Sequence, residues 1–299
     1  MKKIFAIISI LTLAAISSVN AQQMTAFSQF SEDHYMVNPG VAGTLSYSPL
    51  SFGYRRLWTG MDDAPSMQFL SSHVLVADNM GMGGRIFNYS TGPLSKFGIE
   101  GTYSYHLKLT DQVKMSLGLS LQLYQFSLNK SSLSMEDMDD DLLLYGSDKL
   151  IMPDAAFGAY FYTSKWFAGL SSYQLFNRKV DLMTEGVFEN RQVRHYYLIG
   201  GYTYDFNGNW SVQPALLAKF IETGIFQADI AAKVIFKQTV SLGLSYRTQD
   251  AAAIALGFQK DRIFFGYSYD LLLTDIKKHS LGSHELIFTF KFNRSKPKL

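Results

Sequence analysis

The chain of 299 residues has no cysteine, which excludes disulfides, thiolate metal sites and thiol nucleophiles. Proline is scarce at 7 residues. Past the first 21 residues no apolar run approaches the roughly 18 residues that read as a spanning helix. An excess of one charge is missing too. Lys+Arg total 27 against 25 Asp+Glu, and two of the lysines fall in the leader described next, leaving 25 against 25. That balance gives no pull towards nucleic acid. Aromatic content is 15%, with 18 Tyr and 23 Phe, while mean hydropathy is close to zero. The first is high for a soluble domain and the second too polar for a helical membrane protein. A barrel reconciles them, because lipid-facing and lumen-facing residues alternate and cancel in the average.

The N-terminus supplies an export signal. Lys2 and Lys3 precede the apolar run Ile4–Ile16, and Val19-Asn20-Ala21 supplies small residues at a cleavage site. This layout is a secretory signal peptide over residues 1–21, too short in its apolar run to anchor as a spanning helix.

The rest of the chain is dominated by a period of two, which belongs to β-strands and not to helices. In "KMSLGLSLQLYQFSL", Met115, Leu117, Leu119, Leu121 and Leu123 alternate with Ser116, Gly118, Ser120, Gln122 and Tyr124. "FGIEGTYSYHLK", "TVSLGLSYRT", "RIFFGYSYD" and "HELIFTFKF" repeat the pattern, with charges on the polar face as a watery lumen allows. Such runs exceed the usual globular strand and suit a tilted membrane strand of about 9–11 residues. Fourteen strands are expected, starting near Leu50, Ser66, Met82, Lys96, Lys114, Ala155, Trp166, Arg194, Trp210, Phe226, Thr239, Ala251, Arg262 and Ser283. The Ser66 and Ala251 candidates alternate poorly. Connections at one end are tiny, as at Thr163, Asn207-Gly208 and Lys260; at the other they include Asn129–Pro153, Phe176–Arg191 and Leu272–Gly282. Short turns against long loops is the pattern of an outer-membrane barrel in a Gram-negative bacterium, with short turns and both termini periplasmic. The expected fold is therefore all-β: a transmembrane antiparallel barrel over residues 49–292. Residues 22–48 precede it as a periplasmic segment or plug, and residues 293–299 follow as a basic tail.

Chemistry-bearing motifs are few. The acidic run Glu136–Asp141 spaces Asp137, Asp139 and Asp141 like the first ligands of a calcium loop, but Leu142 stands where that loop needs glycine. A solvated loop is the simpler reading. His279, Ser280, Ser283, His284 and Glu285 evoke a serine hydrolase, yet adjacent strand residues face opposite ways. No enzyme, cofactor or metal is expected. "GMGGRIF", Gly81–Phe87, has Ile86 at the third glycine position of a nucleotide fingerprint and a strand, not a helix, after it, so it reads as a tight turn entering a strand. "YRRLWTGMDDAP", Tyr54–Pro65, packs Arg55, Arg56, Trp58 and two aspartates around the first hairpin. Trp58 suits an interfacial girdle, and either arginine could pair with acids inside the barrel.

Together, "VNPGVAGT" (Val37–Thr44), "YRRLWTGMDDAP" and "GSHE" (Gly282–Glu285) resemble the PorP/SprF family of the type IX secretion system, over about Gln22–Phe292. The family more usually has other residues at Gly40, Val41, Leu57 and Asp63. The resemblance marks Asn38, Pro39, Gly43, Tyr54, Arg55, Arg56, Trp58, Gly60, Asp62, Pro65, Gly282, Ser283, His284 and Glu285 as motif residues for structure or partner binding. It implies an outer-membrane protein that supports secretion or surface attachment of cargo with C-terminal secretion domains, type B among them, and is often tied to gliding motility. The implied partners are outer-membrane lipid, translocon or periplasmic-ring components, and the cargo itself. A porin or small-solute transporter is the rival reading.

Overall fold

The computed structural model describes residues 27–129, 149–178 and 192–293. The leader, the acidic run Glu136–Asp141, most of Phe176–Arg191 and the tail beyond Asn293 lie outside the described residues.

The strands are β1 (Tyr47–Arg56), β2 (Ser66–Ala77), β3 (Met80–Thr91), β4 (Leu94–Lys108), β5 (Lys114–Leu128), β6 (Lys149–Tyr162) and β7 (Trp166–Tyr173). After them come β8 (His195–Tyr202), β9 (Tyr204–Asp205), β10 (Trp210–Ile221), β11 (Phe226–Phe236), β12 (Val240–Arg247), β13 (Ala251–Lys260), β14 (Ile263–Leu272) and β15 (Ser283–Asn293). Neighbours in sequence pair antiparallel, and β15 pairs with β1, so the sheet closes on itself. Closure satisfies every strand edge, which a bilayer demands.

β8 and β9 are two pieces of one stave, both paired with β10, so fourteen staves surround the lumen. The break has a chemical cause. Pro214 on β10 has no N–H to offer, and Thr203, between the pieces, instead donates its N–H to Lys165 O at 2.6 Å. The other strand prolines follow the same logic. Pro49 pairs with β15 before the β1–β2 ladder begins at Leu50, and Pro153 pairs with β5 before the β6–β7 ladder begins at Phe157. Each sits where one neighbour is missing. β6 accordingly starts at Lys149, six residues before the expected Ala155, with Pro153 inside the strand and not in the connection.

Side chains alternate as the period requires. Leu121 and Ile230 are 64% and 56% exposed on the outer face, whereas Ser116, Ser120 and Glu285 are 0% exposed within. The two weak candidates are both strands. β2 turns Phe69 inward and Gln68 and Ser72 outward, and β13 carries Ala251, Ala253, Ala255 and Gly257 on its inner face. On β13 the alternation is in size, not polarity; on β2 each face mixes polar and apolar side chains.

Tyr47 and Asn293 pair at the end that holds the short connections 163–165, 206–209 and 261–262. At the Asn207-Gly208 turn only Gly208 is left-handed (φ +70°), while Asn207 Oδ1 accepts from Trp210 N at 3.2 Å. At the other end stand the 57–65 and 273–282 loops, although 92–93 there is as short as any turn opposite and 248–250 is one residue longer. No described helix is long and apolar enough to cross a membrane, which says nothing against crossing by strands.

Residues 27–46 run inside the barrel. Phe27, Phe30, Tyr35, Val41 and Ala42 are buried there, and Asn38 is 0% exposed. The lumen-facing charges therefore meet this segment and one another in place of bulk water.

Candidate functional site

The motif residues gather at two places, both of which hold the inner segment. The first is the barrel seam. Antiparallel pairing of the first and last strands sets Arg55 opposite Glu285 and Arg56 opposite His284, so motifs 230 positions apart become neighbours. Alternation then points Arg55 and Glu285 inward. Arg55, 1% exposed, binds Asp270 Oδ2 and Glu285 Oε2, each at 2.7 Å, and donates to Ser28 Oγ at 2.7 Å. Glu285 accepts from the backbone N–H groups of Ser28 (2.8 Å) and Gln29 (3.0 Å), and Ser28 Oγ donates to Asp270 at 2.6 Å.

Neighbouring strands extend the network. Arg247 reaches Asp229 (2.6 Å), Asp250 (3.1 Å), Asp270 (3.3 Å) and Ser28 Oγ (3.1 Å), and Lys219 reaches Asp229 at 2.6 Å. Removing one member of a buried pair strands its partner's charge, which costs about 3–5 kcal/mol. The network thus ties the Ser28–Gln29 backbone to the wall near the long-loop end.

The second place is a lane of small residues on β3–β7. Asn38 caps the 3₁₀ turn Pro39–Val41 by accepting Gly40 N at 2.8 Å, and donates to Ala159 O (3.0 Å) and Leu170 O (3.2 Å). Pro39 lies over Gly118, where a Cβ would come within 2.3 Å of the Pro39 carbonyl carbon. Gly43 is left-handed (φ +77°) and donates its N–H to His73 Nδ1 at 3.1 Å. A Cβ on Gly81 would strike Ala42 O at 2.3 Å. Gly81–Phe87 is therefore strand and not the expected turn; Gly81 and Gly83 make room for Ala42 and Tyr35 of the inner segment.

Side-chain hydrogen bonds complete this wall. Ser104 Oγ donates to Ala42 O (2.7 Å), Ser71 Oγ to Asp33 (3.0 Å), and Tyr35 Oη pairs with Thr102 Oγ1 (2.6 Å). Burial raises the Asp33 carboxyl and, with Lys233 nearby as a smaller cause, lowers His34 to about 3. His34 is thus neutral at physiological pH.

The remaining motif residues stand apart from the lumen. Arg56 is half-buried on the outer face, away from the acids that Arg55 meets. Trp58 (φ +47°) donates its N–H to Ser283 Oγ at 3.2 Å, and Thr59 N donates to Gly282 O at 2.8 Å, which joins the first loop to the last. Gly60 and Gly282 are left-handed (φ +96° and +99°), Pro65 O accepts Leu57 N at 2.9 Å, and Asp62 is exposed. Tyr54 is half-buried on β1. His284 Nδ1 meets Tyr267 Oη at 2.7 Å, so the histidine and serine of "GSHE" serve separate bonds and form no catalytic pair. Among the described residues no cluster is fit to hold a metal ion.

Sequence reading missed Ser28, Lys219, Asp229, Arg247 and Asp270. The four charged residues had one signal, charge on the inward face of otherwise alternating strands; Ser28, outside the strands, had none.

The sequence model described as "Type IX secretion system membrane protein PorP/SprF" matches residues 19–290. The chain belongs to the PorP/SprF family. No curated protein sequence matches it. Among solved structures, the toluene transporter TbuX of Ralstonia pickettii superposes with a TM-score of 0.53 at 10% identity, covering 86% of this chain and 92% of that one. The CymD monoaromatic hydrocarbon channel gives 0.53 at 11%, covering 92% and 95%. A FadL homologue of Pseudomonas aeruginosa gives 0.50 at 10%, covering 86% and 92%. At such identities the likeness is one of fold, that of outer-membrane barrels. The PorP/SprF chain is thus a membrane component of type IX secretion built as an outer-membrane barrel.

Proposed function

We propose that this PorP/SprF protein is a filled, non-enzymatic outer-membrane barrel that supports secretion or surface attachment of cargo with C-terminal secretion domains. Cargo of type B is included, and the role extends to gliding motility where the host glides. Family membership carries the secretion reading. The course of residues 27–46 through the lumen supports a platform that receives or retains cargo over one that conducts it. In this reading residues 22–48 act as a plug, the short turns and the last strand's end face the periplasm, and the long loops meet cargo outside. Partners are the translocon or periplasmic ring on one side and cargo on the other. The test is a clean gene deletion with comparison of surface and periplasmic proteomes. Proteins with C-terminal secretion domains should leave the surface and accumulate inside; an unchanged secretome contradicts the proposal.

Small-solute transport is the second reading, favoured by the fold shared with TbuX and CymD. It requires the inner segment to move, and it expects altered solute uptake with intact secretion in the same deletion strain.

A further inference from the structure

Not every buried polar group serves the inner segment. Between that segment and the inner wall from β2 to β10 lies a cavity of about 270 Å³, at the strand ends nearest the long loops. This is just under the ~300 Å³ at which small-molecule sites begin. Its walls are mostly apolar and aromatic, with Phe27 and Phe30 from the segment facing Met67, Phe87, Tyr124 and Tyr197 from the barrel.

Among its lining residues the buried polar atoms without a partner are Arg85 Nε and the Tyr173 hydroxyl, both able to donate; behind the lining, Asp154 Oδ2 is a buried carboxylate oxygen without a partner whose charge reaches Lys96. Lys96 lines the cavity with its ammonium 3.9 Å from the Tyr124 ring centroid, and no carboxylate lies within ion-pair distance of it among the described residues. The hydroxyl of Tyr173, itself 7% exposed, is buried without a hydrogen-bond partner, and so is Nε of Arg85. The other lining cations are matched: Arg85 by Glu100 at 2.5 Å and Lys219 by Asp229 at 2.6 Å, both acids lying outside the lining. Native folds seldom leave buried donors unpaired, and where they do an acceptor from outside is the natural complement. An ammonium in ion-pair contact with no described carboxylate, with two spare donors in an aromatic hollow, matches an anionic acceptor on an apolar body, which would compete with the more distant Asp154 for it.

We propose that this cavity binds an apolar group carrying a single carboxylate, with the body against the aromatics and the carboxylate on Lys96. Val37, Met36 and Phe30 of the inner segment line the same space, so it is a pocket against that segment and not a conduit. The carboxylate belongs either to a free amphiphile or to the C-terminus of a chain that ends in an apolar residue.

The test uses the full-length barrel in lipid nanodiscs and calorimetry with phenylbutyrate and phenylbutanol, which share a body and differ in the head group. The acid should bind at least about tenfold more tightly, the scale of a charged hydrogen bond. Lys96→Met should erase the difference between acid and alcohol. Met67→Trp should fill the hollow and weaken both. Heat-dependent gel mobility establishes that each variant is a folded barrel. Displacement of phenylbutyrate by the peptide Ala-Ala-Phe, but not by its amide, assigns the site to a chain end; no displacement by either assigns it to a free amphiphile. Equal binding of acid and alcohol, acid binding that survives both substitutions, or no binding at all overturns the proposal. The assay contains no secretion step, so its failure leaves the secretion reading standing.

Discussion

Two walls of one lumen hold the same inner segment by different physics. On β1 and β10–β15 the contact is ionic: Arg55, Arg247, Asp270 and Glu285 converge on Ser28, while Lys233 holds Glu32 at 2.8 Å. On β2–β7 the contact is one of shape, with glycines letting Pro39 and Ala42 approach, Ser104 and Arg85 donating to the segment's carbonyls and Asn38 of the segment donating to the wall's. The ionic wall fixes where the segment starts near the long-loop end; the small-residue wall fixes its path. An ionic clamp tolerates small displacements, since long side chains follow. A 2.3 Å would-be overlap does not.

The largest effect should therefore come from the small-residue wall. Gly118→Leu places a branched side chain where Pro39 lies. It should expel the segment while leaving the outer face intact, seen as protease access to residues 27–46 in a barrel that still resists heat. Next is the ionic wall. Arg55→Ala leaves Asp270 and Glu285 facing each other without their shared cation, and should lower stability by about 3–5 kcal/mol, measured by urea unfolding in liposomes. Asn38→Ala loses one capping bond and two cross-wall bonds and should cost about 1–3 kcal/mol in the same assay. The smallest effect is set by Lys108→Ala, which removes an ion pair whose partners are 65% and 96% exposed and should change nothing measurable. If Arg55→Ala frees the segment while Gly118→Leu does not, the division of labour between the walls is reversed.

The barrel was legible in the sequence because alternation is local. β5 spans the stretch in which it is clearest, and the start of every stave but β6 falls within three residues of its expected position. The exception, Lys149, lay behind Pro153, and only three-dimensional pairing shows that this proline faces a missing neighbour. The candidate site was half legible. Arg55 and Glu285 stood out in motifs, but the choice of Arg55 over Arg56 as the inward cation depends on register. Asp270 and Arg247 show only as charges on the polar face of their strands, and Ser28 shows nothing, because what unites them is closure of the sheet and the return of the N-terminal segment through it. The roles of Gly81, expected in a turn, and of Gly118, expected only as a polar-face position, stayed hidden for the same reason. A close approach from another segment leaves no trace beside the glycine itself.

The central claim is that residues 27–46 fill the lumen, and single-channel recording in planar bilayers tests it most directly. The intact barrel should be silent, and deletion of residues 27–46 should open a steady conductance. Steady conductance through the intact barrel, unchanged by that deletion, contradicts the account.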